Sequence, residues 1–274
     1  MPLLFLALAL TCVLIGSWCN RNVRGFLPDD LPRPGRKQHQ RPIPLAGVTL
    51  APAVIAALAL GGHWLAATAA LFAAAIGFVD DWHKERQRDF DWRLKGAVLA
   101  LAAAMIAGAV FLPWRTPGSF ALSWLLCFVL INATNFLDNT DGVATALAAV
   151  SLLLGNGGDA TWLCCGAAAA AFLPWNWPRP RLFLGDSGAF LLGVALATMT
   201  TTRLTAGWQA LLPVALLLGD FVQVITARLI LGVAPWVGDR RHLTHIVQNL
   251  GLPRPLVAPL FALVAAALIL IGPA

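Results

Sequence analysis

The chain has 274 residues, 59% of them hydrophobic and only 12% charged, and its mean hydropathy is +0.75. Soluble domains carry about 25% charged residues, so a water-soluble core wrapped in polar surface is excluded and a polytopic membrane protein is implied. In such a chain the net charge of +6 reports loop topology and contact with anionic lipid or phosphate, not nucleic acid.

A helix needs about 20 apolar residues to cross a bilayer. That ruler predicts ten spans, at 1–19, 45–61, 64–79, 95–112, 120–137, 142–157, 160–175, 187–203, 207–231 and 255–273. The first has no Lys or Arg ahead of Arg21, and Trp18 is too large for a processing site, so it reads as an uncleaved span. The expected architecture is all-α, one transmembrane domain over 1–274. Cys12, Cys19, Cys127, Cys164 and Cys165 lie in or beside apolar runs without a C-x-x-C pair, and read as unpaired thiols.

Orientation follows from Lys/Arg bias. An even number of spans puts both termini on one side. Of the 19 Lys and Arg residues, all but Arg115 and Arg203 fall in the loops of the opposite side. The termini are therefore expected away from the cytoplasm. Trp64, Trp82, Trp114, Trp175 and Trp208 sit at expected helix ends, where indoles prefer the interface. This topology uses no acidic residue, yet it places all 13 Asp and Glu except Asp159 and Asp220 on or at the cytoplasmic side. A carboxylate at mid-bilayer costs about 2.5–3.5 kcal/mol, so repeated acids at helix mouths point to one polar site there.

Four motifs carry candidate chemistry. In Gly77-Phe78-Val79-Asp80-Asp81 a span runs into two acids. They read either as a solvated loop start or as repelling carboxylates, one of which becomes a proton acceptor. In the stretch from Asn132 to Gly142, Asn135, Asp138 and Asp141 recur every three residues and share a face on a helical turn. Such hard oxygens suit Mg²⁺, which borrows substrate phosphates; a calcium loop would need a distal Glu that is absent. The alternative is a capped loop with Asp141 as N-cap. Phe183-Leu184-Gly185-Asp186-Ser187-Gly188 opens a span, so a serine-protease reading fails. Glycines flanking an Asp at a helix N-terminus fit a phosphate or metal site, where free N–H groups point. In Gly238-Asp239-Arg240-Arg241-His242-Leu243-Thr244-His245, two histidines follow two arginines. A zinc pair lacks further ligands; a diphosphate grip or a basic loop remains. Asp220, within a span, is either a partner of the site or a helix-packing contact.

In this order the motifs resemble the polyprenyl-phosphate N-acetylhexosamine-1-phosphate transferases, the MraY/WecA family, from Lys37 to about Leu252. RKQHQRPIPLAG looks like the entry to the family's second span. GFVDD looks like its double-Asp motif, NATNFLDNTDGVA like N-x-x-N-x-x-D-G-x-D-G-L-A, FLGDSGAF like G-D-x-G-S, and PWVGDRRHLTH like P-F-x-x-D-R-x-H-x-H-H. The HQRPIPLAG and DRRH segments are closer to the WecA branch. The ten-span count agrees with the family.

The resemblance implies transfer of a sugar-1-phosphate from a UDP-N-acetylhexosamine to polyprenyl (undecaprenyl) phosphate, with release of UMP and Mg²⁺ as cofactor. It implies Asn135 and Asp186 as metal ligands and Asp80 as the base toward the lipid phosphate, with Asp81 beside it. Asp138 and Asp141 would line the uridine-diphosphate site. Lys37, Lys95, Arg241, His242 and His245 would bind the substrates. Membrane lipid is the expected surroundings, a homodimer is compatible with it, and the bacterial inner membrane is the expected location, with the site on the cytoplasmic face. The product would initiate a lipid-linked envelope glycan, of O-antigen lipopolysaccharide or capsule type. The pattern departs from the family at Asn139, where the motif has Gly, and at Thr244, where it has His. The competing readings are a solute transporter, which would place polar residues near the midplane of several spans, and a catalytically lapsed family member.

Overall fold

The computed structural model describes residues 1–23, 25–32, 41–111, 116–234 and 238–272. Lys37, and with it the basic run from Arg36 to Gln40, lies outside the described residues, as do Arg115 and 235–237. The rest is almost wholly helical. Helices α1 (Pro2–Asn22), α2 (Ala51–Leu60), α3 (Trp64–Glu85), α4 (Trp92–Phe111), α5 (Pro117–Leu137) and α6 (Val143–Leu154) are followed by α7 (Ala160–Asn176), α8 (Gly185–Leu204), α9 (Ala215–Ile230), α10 (Leu243–Asn249) and α11 (Arg254–Ile271). Single 3₁₀ stretches at Gly47–Leu50 and Trp208–Val214 lead into α2 and α9. Six of the apolar stretches are long enough to cross a membrane, at Pro2–Asn22, Trp64–Glu85, Trp92–Val110, Pro117–Leu137, Trp208–Ile230 and Arg254–Ile271. The chain is a multi-pass membrane protein.

Three features depart from the sequence reading. Two two-residue strands, β1 (Asp29–Asp30) and β2 (Ile43–Pro44), pair antiparallel, so the all-α class carries one scrap of sheet. The histidine segment is not all loop: from Leu243 it winds into the short helix α10. Helix α3 does not stop near residue 79 but continues to Glu85. Asp80 and Asp81 are therefore not a solvated loop start. They stand inside the helix at 3% and 1% exposure.

The centre of the bundle is α8, buried without interruption from Gly185 to Thr201. It packs against α3 and α5 above all. Small residues make that possible, because only they let helix backbones approach closely. A Cβ added at Gly193 would lie 2.8 Å from the Cα of Ile131 on α5, and one added at Gly77 would lie 2.6 Å from backbone atoms of Asp186 and Ser187. Three hydroxyls of α8 are satisfied inside the helix: those of Thr198, Thr201 and Thr202 donate to the carbonyls of Val194, Ala197 and Thr198. On α3 the buried stripe runs Ala66, Ala70, Ala73, Gly77 and then Asp80 and Asp81. The acids thus continue the face that seats α3 on α8, and this spacing brings them to the start of α8.

Candidate active site

Gly77 brings α3 against the first turn of α8, and Asp81 uses the proximity. Its Oδ1 accepts from the Asp186 backbone N–H at 3.0 Å and its Oδ2 from the Ser187 N–H at 3.1 Å. The first N–H groups of a helix lack intrahelical acceptors, so Asp81 caps α8 from a neighbouring helix. The N–H groups of Asp186 and Ser187 are accordingly not free for a phosphate. That corrects the expectation drawn from the Gly-Asp-Ser-Gly motif. Gly185 sits at φ +66°, and a Cβ there would lie 2.7 Å from Asp81 Oδ2, so only glycine admits the cap.

Asp80 is one residue back, about 100° round the helix, and turns to different partners. Its Oδ2 stands 2.9 Å from Lys84 Nζ and 2.9 Å from Lys95 Nζ. Both lysines also reach Asp186, Lys84 at 2.6 Å to Oδ1 and Lys95 at 3.4 Å to Oδ2. Asn135, in the last turn of α5, donates to Asp186 Oδ1 at 3.0 Å. Helices α3, α4, α5 and α8 therefore meet at a single acid–lysine knot. Lys84 was legible only as one more positive-inside charge. Its i, i+4 spacing from Asp80 on a helix is the signal that would have singled it out.

Beyond the knot opens a cavity of about 1150 Å³, lined among others by Asp81, Asn135, Asp138, Asp141, Asp186 and His245. All of these come from one end of the bundle. The i, i+3, i+6 acids converge on it, but not as one helical face: α5 ends at Leu137, Asp138 is its C-cap and Asp141 lies in the turn beyond. Asp141 is not an N-cap, since α6 starts behind Gly142 in a left-handed conformation with no side-chain cap. Asp141 instead pairs with Arg254 at the start of α11, at 2.7 Å. Burial, together with the neighbouring Asp186, Asp81 and Asp141, pushes the Asp138 carboxyl well above the ordinary carboxylate range despite the opposing charge of Lys84.

The 238–249 segment forms the far wall. Arg240 and His245 line the cavity. Arg241 turns away to Asp239, at 2.6 Å, and Asp239 also takes Arg228 of α9 at 3.0 Å. Burial alone would raise the Asp239 carboxyl, but these guanidinium hydrogen bonds hold it down at about 2. His242 is buried, with Nδ1 2.8 Å from Asp220 Oδ2, while Asp220 Oδ1 accepts the Leu243 N–H at 2.6 Å. Asp220 is thus a tether for this segment, with 0% exposure. The His245 imidazole is lowered to about 4, first by burial and then by the positive fields of Arg240, His242 and Arg254, against a smaller pull from Asp220. Of the residues singled out in the sequence, Asp81, Asn135, Asp138, Asp141, Asp186 and His245 line one cavity, and Asp80 and Lys95 stand directly behind it in the knot. Arg241 and His242 are engaged with Asp239 and Asp220. Arg254 and Lys84 were counted only for their charge.

Among the described residues no three His, Cys, Asp or Glu side chains form a ready-made metal seat. The available donors are instead the oxygens of Asp186, Asn135 and Asp138 at the cavity wall.

A family model described as Glycosyl transferase family 4 matches residues 63–203, from the start of α3 through nearly all of α8. The chain is similar to the undecaprenyl-phosphate alpha-N-acetylglucosaminyl 1-phosphate transferase of Yersinia pestis, 28% identical over 270 residues, 86% of this chain and 74% of the relative. The protein of that name from Escherichia coli K12 is 26% identical over 275 aligned positions, with the same coverage of 86% and 74%. The decaprenyl-phosphate N-acetylglucosaminephosphotransferase of Mycolicibacterium smegmatis is 28% identical over 220 residues, 65% of this chain. The chain spans about half the length of that mycobacterial relative, 54%.

Proposed function

The chain belongs to glycosyl transferase family 4, and from that premise we propose that it transfers N-acetylhexosamine-1-phosphate from a UDP-linked donor to polyprenyl phosphate. An oxygen of the lipid phosphate attacks the sugar-bearing phosphorus of the donor. The bond from that phosphorus to the bridging oxygen breaks, and UMP leaves with the oxygen. The observation that carries this reading is the acid–lysine knot of Asp80, Lys84, Lys95 and Asp186, whose Lys84 and Asp186 line a cavity large enough for two phosphorylated substrates.

Attack of one phosphate on another is slow because the anions repel, so the protein's task is alignment and charge. In this reading Lys84 and Lys95, tethered between Asp80 and Asp186, present ammonium groups to the phosphates. Asp80 orients the two lysines and the lipid phosphate, with proton acceptance from that phosphate as its chemical role. Asp81 holds the first turn of α8, which fixes Asp186. Asp138, Asp141 with its partner Arg254, and His245 with Arg240 form the wall for the uridine diphosphate. Asn135 and Asp186 would hold Mg²⁺. A donor set of one or two protein oxygens suits an ion that keeps waters and takes its other ligands from substrate phosphates. When bound, that ion neutralises charge on the phosphate oxygens.

A lipid phosphate keeps its reacting group at the bilayer surface, so the cavity belongs at a membrane face. We assign it to the cytoplasmic face of the bacterial inner membrane, with ten crossings in a single domain and both termini on the far side. The Lys/Arg bias supports this assignment. Transport is disfavoured because the acids gather at one end of the bundle and Asp220 is already engaged. The test is UMP release by the purified protein in detergent, with polyprenyl phosphate, Mg²⁺ and a panel of UDP-sugars. Turnover with at least one N-acetylhexosamine donor is expected. Chelation of Mg²⁺ should abolish it, and Asp186→Asn should lower it by at least about 10²-fold. No turnover with any donor would refute the assignment in favour of a lapsed enzyme.

A further inference from the structure

Asn139 and Thr244 are two of the positions at which this chain departs from the motifs it resembles, and they are 105 residues apart. In the folded chain they touch. The Thr244 hydroxyl donates to Asn139 Oδ1 at 2.5 Å. Asn139 is fixed from its other side, since its Nδ2 donates to the Phe136 carbonyl at 2.7 Å. Thr140 adds a second donor to Asn139 Oδ1 at 3.0 Å. Gln248, one turn along α10 from Thr244, closes the group by donating to the Thr244 carbonyl at 2.9 Å and to Thr140 Oγ1 at 3.3 Å. Thr244 has 0% exposure, so its hydroxyl has no water to fall back on.

The backbone does not account for Asn139. Glycine at such a position would ordinarily serve a left-handed turn, but Gln87 is the sole non-glycine residue with positive φ among the described residues. The side chain is what the position uses. A glycine there would leave the Thr244 hydroxyl without its acceptor, and a valine at 244 would remove the donor.

We propose that Asn139 and Thr244 form one coupled clasp that fastens α10 to the end of α5 and so positions His245, the next residue, on the cavity wall. Each departure compensates for the other, and neither marks a lapsed site. Thr244 acts through His245, whereas Asn139 also lines the cavity itself; both are positioning residues, and the coupling between them is what the clasp requires. The clasp rests on the proposed function only in naming the ligand of that wall as the UDP-sugar.

The test is a double-mutant cycle on the full-length protein in detergent, with Thr244→Val, Asn139→Gly and the double variant, and Thr244→Ser as the conservative control. The hydroxyl–amide bond is buried, so Thr244→Val should raise KM for the UDP-sugar on the order of tenfold and leave KM for polyprenyl phosphate unchanged. Thr244→Ser should restore the wild-type value. In the Asn139→Gly background, Thr244→Val should cost little more. Hydrogen exchange of the 243–249 amides is followed in the same proteins. Faster exchange there in Thr244→Val, with α3 and α8 unchanged, is expected, and Thr244→Ser should stay protected. The clasp is overturned by multiplicative effects in the cycle, by equal rises in both KM values, or by unaltered exchange in Thr244→Val. If wild type turned over no donor, the assignment of function would fall, and the exchange comparison alone would decide the clasp.

Discussion

Gly77→Ala is a substitution whose sign differs between the helix and the bundle. Within an isolated helix, alanine for glycine stabilises by about 0.5–1 kcal/mol. In this bundle the new Cβ would lie 2.6 Å from the carbonyl carbon of Asp186 and from the Cα and N of Ser187. Ordinary carbon contacts begin near 3.5 Å, and backbone cannot swing aside, so α3 must retreat from α8 by about 1 Å. The two hydrogen bonds from Asp186 N and Ser187 N to Asp81, now 3.0 and 3.1 Å, would stretch to about 4 Å, outside hydrogen-bond range. Hydrogen bonds to a charged group are worth about 1.5–3 kcal/mol each. The net expectation is a loss of roughly 2–5 kcal/mol once the propensity gain is set against the two bonds. Displacing Asp80 from Asp186 by about 1 Å should also lower turnover by about 10²-fold. Thermal unfolding in detergent and UMP release measure the two effects. Gly96→Ala on α4, where a Cβ meets nothing within 4 Å, should be neutral or slightly stabilising. A Gly77→Ala protein as stable and active as the Gly96→Ala control would refute the close approach of α3 and α8 as the origin of the site.

Two further outcomes follow from the same geometry. Lys84→Met leaves Asp80 and Asp186 sharing Lys95 alone, so kcat/KM should fall by about 10- to 100-fold, and retention of more than half the wild-type rate would remove Lys84 from the site. His245, lowered to about 4, takes up its proton near 6.5 in the unfolded chain. The unfolded state therefore binds more protons between these values, and stability is full above about 6.5 and falls as the pH drops toward 4. His245→Gln should flatten that part of a plot of unfolding temperature against pH, and superimposable slopes for the two proteins would contradict the depressed value.

Much of the bundle was legible because apolar length is a one-dimensional signal. Helices occupy the described parts of the apolar segments, six of them long enough to cross a membrane, and they break where Gly61-Gly62-His63 and Asn156-Gly157-Gly158 interrupt the apolar run. What stayed hidden depends on pairing across the chain. Arg254 and Asp141 are 113 residues apart and Lys84 and Asp186 are 102 apart. Nothing local to Arg254 distinguishes it from an interfacial charge at the mouth of a span. Asp220 shows the same limit: its depth in a helix was evident, but whether it faced another helix or reached back to His242 depended on how the 238–243 segment folds over α9.

The double-Asp motif carries the distinction furthest. In sequence the two acids are equivalent neighbours, and as a loop they would repel and share one proton between them. The helix removes the equivalence. Continuing α3 to Glu85 rotates the second acid by about 100° from the first, so Asp81 meets the unsatisfied N–H groups of α8 while Asp80 meets two ammonium groups. One carboxylate caps α8 and the other holds two lysines. The arrangement requires Gly77 one turn earlier and Lys84 one turn later on α3, and Gly185 opposite them at the start of α8. The same physical demand, close approach of two helices with their polar ends satisfied, therefore selects both the glycines that look structural and the acids that look catalytic. Loss of a glycine and loss of an acid from this contact should accordingly be hard to tell apart by activity alone. They separate in stability, where Gly77→Ala breaks both bonds from the start of α8 to Asp81, Asp81→Asn keeps one acceptor oxygen and breaks one of them, and Asp80→Asn breaks neither.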